Sequence, residues 1–265
     1  MKTLKQYIGN YIENHINESL FDDEDVLSDP ERDKVIIEKW IKENYRTQGS
    51  IRIHDNMVVD CSSSLAVLGN MSITSLTNGM FRWGKVGGFF DCSFCKSLKS
   101  LEGSPERVDG DFKCTACNNL TSLKDAPKEV GKNFDCSWCD NLESLEGSPE
   151  VIRFGYYCSR CSKLKSLEGA PKHVYFFDCH NCESLKTLEG APKKVDGTFR
   201  CNGCTDLQSL KGAPREIGLY LICASCTSLK TLEGISKKIG GHINVSNCTN
   251  LTIDDSIRKK YNIAD

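Results

Sequence analysis

The chain reads FKCTACNNLTSLKDAPKEV from Phe112 to Val130, and close copies of this stretch fill most of its 265 residues. Cys-x-x-Cys occurs seven times, with first cysteines spaced 22, 22, 22, 21, 22 and 22 residues apart. The pairs are Cys92/Cys95, Cys114/Cys117, Cys136/Cys139, Cys158/Cys161, Cys179/Cys182, Cys201/Cys204 and Cys223/Cys226. Aromatic, leucine, proline and valine or isoleucine positions keep the same period. Self-similarity at a fixed period predicts a repeat array.

One unit predicts its own local structure. Phe112 and Cys114 alternate with polar residues, which is typical of a short strand with both side chains facing inward. Proline and glycine recur before the closing valine, and they favour a tight turn over a helix interior. No unit contains a ten-residue helical pattern, so we expect an irregular or 3₁₀ return side. A single unit cannot bury its own apolar residues, but stacked units can. The sequence therefore predicts a β-solenoid of about nine turns.

Two degenerate units extend the array at its ends. In the first, Val67 and Asn70 stand where the other units have two cysteines. In the last, Val245 replaces the first cysteine and Cys248 keeps the second. The first cysteine position therefore accepts valine, whereas the second accepts asparagine.

The first degenerate unit and the regular units carry a family resemblance. Leu65-x-Val67-x-x-Asn70 and Phe112-x-Cys114-x-x-Cys117 resemble the L-x-L-x-x-[N/C] core of leucine-rich repeats. The resemblance implies a β-solenoid of leucine-rich-repeat type, in a cysteine-containing variant with 22 residues per repeat. It also implies an inward ladder that bonds backbone groups of the adjacent turn. The ladder residues would be Asn70, Cys95, Cys117, Cys139, Cys161, Cys182, Cys204, Cys226 and Cys248.

The repeated Leu-Glu-Gly-Ala-Pro-Lys-x-Val cadence, as in Leu167–Val174, resembles repeat proteins encoded by large tailed bacteriophages. This second resemblance implies a location in the host cytoplasm or in the virion.

The ends of the chain depart from the repeat. Apolar residues fall at helical spacing near the start, at Leu4, Ile8, Tyr11, Ile12 and Ile16. The acidic run Asp22–Asp25 follows, and Asp29-Pro30 is typical of the start of a second helix. We predict a helical N-terminal region and cap over residues 1–60, a solenoid over 61–253 and a C-terminal cap over 254–265. For residues 1–27, a detachable docking segment is an equal alternative to capping.

The cysteine pairs invite a zinc interpretation, because Cys92-x2-Cys95-x18-Cys114-x2-Cys117 has the spacing of a four-cysteine site. Seven pairs, however, cannot be divided into two-pair sites, and valine cannot bind a metal at either degenerate unit. Buried thiols pack like small apolar side chains. We therefore expect structural cysteines with no metal and no cofactor. A zinc-binding or redox thiol protein is the alternative, since Cys-x-x-Cys is also a redox motif.

Several function classes are disfavoured by what the sequence lacks. It contains no G-x-x-x-x-G-K-[ST], H-E-x-x-H or G-x-S-x-G motif, so we expect no enzyme activity. A net charge of -2 argues against binding nucleic acid through its phosphates. The sequence contains no run of 18 apolar residues, so it predicts no membrane span. The first residues lack the apolar run of a secretion signal, so we expect a cytoplasmic protein.

A partner surface is predicted on the outer face of the stacked strands. Residues flanking the first cysteines vary in charge and size, while the inward positions hardly vary. Large apolar and cationic residues together are typical of interaction hot spots. The candidate residues are Phe94, Trp138, Tyr157, Arg160, His180 and Arg200. We expect Trp138 and Tyr157, in adjacent turns, to lie within reach of one another. The sequence predicts a non-enzymatic protein-binding module. The alternatives are a phage factor that sequesters a host protein or a virion component.

Overall fold

The computed structural model describes residues 29–68, 73–261 and 263, so the predictions for residues 1–27 and for Asn70 lie outside it. The described chain is a β-solenoid with few helices, built around a ten-stranded sheet that we call the strand face. Its strands, in spatial order, are β1 (Tyr45–Thr47), β4 (Leu65–Val67), β6 (Phe90–Asp91), β8 (Phe112–Lys113), β10 (Phe134–Asp135), β12 (Gly155–Tyr157), β14 (Phe176–Asp178), β16 (Phe199–Arg200), β18 (Leu221–Ile222) and β20 (Ile243–Asn244).

The register of the strand face follows the sequence period. Phe134 pairs with Phe112 on one side and with Tyr156 on the other, one repeat away in each direction. All strands from β4 to β20 are parallel, which is the arrangement of a coil that adds one strand per circuit. The repeat fold is therefore confirmed. The chain makes about eight full circuits between the first and the last of these nine strands. The sequence predicted about nine turns, one more than the structure has.

A second set of short parallel strands lies on the return side of the solenoid. One side sheet contains β2 (Ile51–Ile53), β3 (Val58–Cys61), β5 (Arg82–Val86), β7 (Arg107–Val108), β9 (Glu129–Val130) and β11 (Val151–Ile152). The other contains β13 (His173–Val174), β15 (Lys194–Val195), β17 (Glu216–Ile217) and β19 (Lys238–Ile239). The return side thus differs from the irregular or 3₁₀ path that the sequence suggested, because the closing valines and isoleucines pair from turn to turn.

The two side sheets are separated between β11 and β13. This is the position of the one 21-residue repeat. Its corner has only two residues between Val174 and Phe177, whereas the other corners have three, as between Val108 and Phe112. The shorter corner directly follows β13, so the break between the side sheets and the one shortened repeat lie at the same place along the solenoid.

The core consists of like side chains stacked on like. The rings of Phe90 and Phe112 lie 5.3 Å apart at an interplanar angle of 5°, and Phe112 stacks on Phe134 in the same way. The aromatic stack continues through Tyr156, Phe177 and Phe199. The leucine, valine and cysteine positions of the central repeats are fully buried around it. Offset stacking of this kind adds to the free energy gained by burying apolar area.

Helix α1 (Asp29–Asn44) precedes the solenoid and buries one apolar side, which includes Ile37, Trp40 and Ile41. The indole of Trp40 meets the Phe81 ring edge-on at 5.7 Å. Strand β1 follows directly and pairs antiparallel with β4. At the other end, the short helix α2 (Asp255–Tyr261) follows the last turn. Neither helix of the described chain combines the length and apolar character that a bilayer span needs.

Candidate functional site

Two rows of sulfur atoms run through the solenoid interior. From Cys117 onward, each second cysteine donates its S–H to the carbonyl oxygen of the first cysteine in the preceding turn. Sγ of Cys139, for example, lies 3.2 Å from the Cys114 oxygen. The same contact, at 3.1–3.3 Å, is made by Cys117, Cys139, Cys161, Cys182, Cys204, Cys226 and Cys248. We call this row of bonds the thiol ladder. It gives a hydrogen-bond donor to carbonyl groups that are buried in the bend after each strand and would otherwise be unpaired.

The chemical state of these sulfurs follows from their burial. All 16 cysteines are free thiols. Desolvation raises the pKa of the Cys95 thiol to about 12, and it raises the pKa values of Cys136 and Cys158 well above their ordinary value. A raised pKa disfavours the thiolate, which is the reactive form in redox catalysis. Among the described residues, no group of three or more His, Cys, Asp or Glu side chains is placed to hold a metal ion.

A sharp bend follows each strand of the strand face. The residue before each second cysteine has a positive φ, for example 62° at Trp138 and 58° at Arg160. Glycine and asparagine adopt this left-handed conformation easily, and they occupy it at Asn181, Gly203 and Asn247. A tryptophan or arginine there pays a conformational cost that asparagine or glycine would largely avoid.

The bend brings Trp138 and Arg160 together on the surface. Their positions are one turn apart, and the Arg160 guanidinium carbon lies 4.5 Å from the centre of the Trp138 ring. The indole is 47% exposed in spite of this contact. Phe94 occupies the equivalent bend two turns earlier and is 63% exposed. Three of the six predicted site residues therefore present large, accessible side chains from the same kind of bend.

Tyr157 is placed differently. Its ring is half-buried and lies 5.4 Å from the ring of Phe176. It also covers Gly155, where an added Cβ would come within 2.7 Å of a Tyr157 ring carbon. Burial is the largest cause of a raised pKa for its hydroxyl. Tyr157 therefore supports the corner beside β12 and β14, and its ring contact is with Phe176.

The two remaining predicted residues meet at Asp178. This carboxylate is 4% exposed, and its Oδ1 lies 2.7 Å from Nδ1 of His180. Its Oδ2 lies 3.8 Å from a guanidinium nitrogen of Arg200 in the next turn. The same Oδ1 accepts a hydrogen bond from the His180 backbone amide at 3.0 Å. Asp178 therefore orients His180 at the surface beside the strand face, with the exposed Arg200 guanidinium nearby.

The sequence did not single out a second exposed aromatic pair. Phe154 and Tyr175 are stacked 5.0 Å apart at 16°, and they are 47% and 43% exposed. They lie in the corners between the side sheets and the strand face. The signal that could have found them is the shortened repeat, because its missing residue falls in the corner that contains Tyr175.

Comparison with known proteins gives no match, whether with protein-family models, curated proteins or solved structures.

Proposed function

We propose that this protein is a non-enzymatic binding module that holds a protein partner through its strand face. The observation that carries the proposal is the exposed Trp138–Arg160 pair. Tryptophan and arginine are the residues most enriched among interface hot spots, and tyrosine accompanies them. Phe94, two turns before Trp138, and Arg200, two turns beyond Arg160, add an apolar and a cationic group along the same side of the solenoid.

The backbone conformation supports the same proposal. A left-handed φ at Trp138 costs about 1 kcal/mol relative to a glycine or asparagine. An exposed cation–π contact returns about 0.5–1 kcal/mol. The ring, half exposed, also leaves much of its apolar surface in water. Trp138 and Arg160 therefore stabilise the folded chain little more than asparagine would at the same positions. A partner that covers the indole would bury a large apolar area.

The test is capture of partner proteins with the full chain and a matched pair of variants. Trp138→Ala with Arg160→Ala removes the proposed contact. Arg153→Ala with Phe154→Ala removes an equally exposed aromatic residue and an arginine from the corner. We expect the first variant to lose a protein that the wild type and the second variant both retain, with a melting temperature near that of the wild type. Equal retention by all three proteins would refute the proposed site.

We also propose that the solenoid is of leucine-rich-repeat type and that α1 is its N-terminal cap. The thiol ladder supports the first point, since it bonds the adjacent turn as the family resemblance implies. The buried side of α1, which includes Ile37 and Trp40, supports the second, as does the antiparallel pairing of β1 with the first solenoid strand. Capping of this kind keeps the end of a repeat array from exposing apolar surface.

Two alternatives differ in the class of function. The Leu-Glu-Gly-Ala-Pro-Lys-x-Val cadence favours a phage origin, with a host protein as the partner or a place in the virion. The zinc or redox alternative has less support, because the ladder uses each second thiol as a hydrogen-bond donor. Elemental analysis of the purified, reduced protein separates these classes: one tightly bound zinc ion or more per chain would favour the metal alternative.

A further inference from the structure

Four cations are stacked on the return side of the last described turns. They are Lys172, Lys193, Arg215 and Lys237, which we call the basic column, and all four are exposed. The first three backbones are direct neighbours, since the Lys193 amide donates to the Lys172 oxygen and the Arg215 amide to the Lys193 oxygen, both at 2.9 Å. Lys237 follows in the next turn, where the amide of Lys238 donates to the Arg215 oxygen at 3.3 Å. The side chains therefore emerge about 4.8 Å apart, the spacing of adjacent strands.

The same positions are neutralised in the earlier turns. There the residues are Glu106, Lys128 and Glu150, which alternate in sign, and Lys128 forms an ion pair with Glu106 at 3.2 Å. In the part of the chain that the structure describes, none of the four cations of the basic column has an ion-pair partner. Like charges on neighbouring strands destabilise a sheet. The basic column therefore costs stability, and an anionic partner would remove that cost.

The surroundings of the basic column are mixed in charge and add an apolar recess. Lys194 forms an ion pair with Asp196 at 2.8 Å, and Lys238 lies opposite Glu216 in the next strand, so neither pair neutralises the column itself. Next to Lys172, the separation of the two side sheets leaves a groove of about 810 Å³, lined in part by Pro149 and Val151. A partner that fits both features has several acidic residues in a row and an apolar side chain next to them.

We propose that the basic column docks the acidic segment Phe21–Asp25 of a second copy of this chain. That segment reads Phe-Asp-Asp-Glu-Asp and lies outside the described residues. Its four consecutive acids match the four unpaired cations in number and sign. Phe21, directly before them, supplies an apolar side chain for the groove beside Lys172. This contact uses the return side of the solenoid and does not depend on the proposed binding at the strand face.

The reach of the chain favours a second copy over the same molecule. Asp25 is four residues from the start of α1, and four residues span at most about 14 Å. Helix α1 lies near the turn before β3, where Lys34 and Asp55 form an exposed ion pair at 2.7 Å. Arg215 precedes β17, which lies seven strands beyond β3, or about 34 Å along the solenoid. The acidic segment of one molecule therefore falls short of the centre of its own basic column.

The test is sedimentation velocity of the full chain over a range of concentrations at low and high salt. We expect reversible self-association at about 0.05 M NaCl that weakens at least about ten-fold at about 0.5 M, because exposed charges are screened. Lys193→Glu with Arg215→Glu, and separately Asp23→Lys with Glu24→Lys, should each weaken it at least about ten-fold.

Combining both pairs restores opposite charges, so the four-fold variant should recover self-association close to that of the wild type. Lys96→Glu with Lys99→Glu, which makes the same charge change on exposed lysines of an early turn, should leave it unchanged. Thermal melts establish that each variant is folded. A wild type that remains monomeric at every concentration would overturn the proposal, and so would a combined variant that fails to recover. Trp138→Ala should have no effect, which separates this surface from the strand-face site.

Discussion

The thiol ladder makes a prediction about two cysteines of one repeat. Cys201 and Cys204 are both fully buried, but Cys204 donates its S–H to the Cys179 carbonyl at 3.2 Å, whereas Cys201 contributes its own carbonyl to the ladder. Replacing either by alanine deletes one buried sulfur atom. That deletion costs about 1 kcal/mol of transfer free energy, with about 0.5 kcal/mol more for the cavity. Both variants should therefore lose about 1.5 kcal/mol from this cause.

Cys204→Ala has a second cost, because it leaves the Cys179 carbonyl without its donor. An unpaired buried acceptor costs about 1 kcal/mol or more, so we expect a total near 2.5 kcal/mol. Cys204→Ser keeps a donor and should be more stable than Cys204→Ala. Urea denaturation followed by circular dichroism measures the free energies of unfolding, provided that tryptophan fluorescence gives the same transition. Equal losses for Cys201→Ala and Cys204→Ala would refute the role assigned to the ladder.

Two further predictions concern pH and backbone conformation. Burial raises the pKa of the Cys95 thiol to about 12 and the pKa values of Cys136 and Cys158 well above their ordinary value, so unfolding releases protons from these thiols at high pH. In urea titrations, the free energy of unfolding should be constant below about pH 8 and fall above about pH 9. The fall should be up to about 1.4 kcal/mol per pH unit for each such thiol. A free energy of unfolding that stays constant to about pH 10.5 would contradict this. Gly190→Ala should cost at least about 2 kcal/mol, since φ is 89° and the new Cβ would meet the Glu168 backbone nitrogen. Gly203→Ala should cost only about 1 kcal/mol, because Ala116 already occupies the equivalent bend and the new Cβ meets the end of the Asn181 side chain, not backbone; similar losses for the two variants would refute this.

The repeat fold could be predicted from the sequence because one period governs every buried position. Phe112, Cys114 and Cys117 recur together, and only stacking in register buries all of them. The side sheets could not be predicted in the same way. Their repeated strands beyond β5, such as Arg107–Val108, are two residues long, which is too short for an alternating pattern to show.

The surface was less predictable than the core. The repeat pattern predicts that packing does not dictate the residue at position 138, and the Trp138 side chain is exposed. The repeat alignment predicts that Tyr157 lies on the same outward face as Trp138. Its side chain instead contacts Phe176 and covers Gly155, and the repeat period does not predict this local packing. Phe154 and Tyr175 were missed because their corner is where the repeat loses a residue.

The central claim is that the cysteines are interior thiols stacked in register, and a sulfur anomalous difference map from crystals of the full chain tests it most directly. We predict two rows of sulfur peaks through the solenoid, each repeating at about 4.8 Å, with no stronger peak between them. Sulfur peaks grouped in fours around a metal ion, or scattered among separate globular units, would contradict the claim.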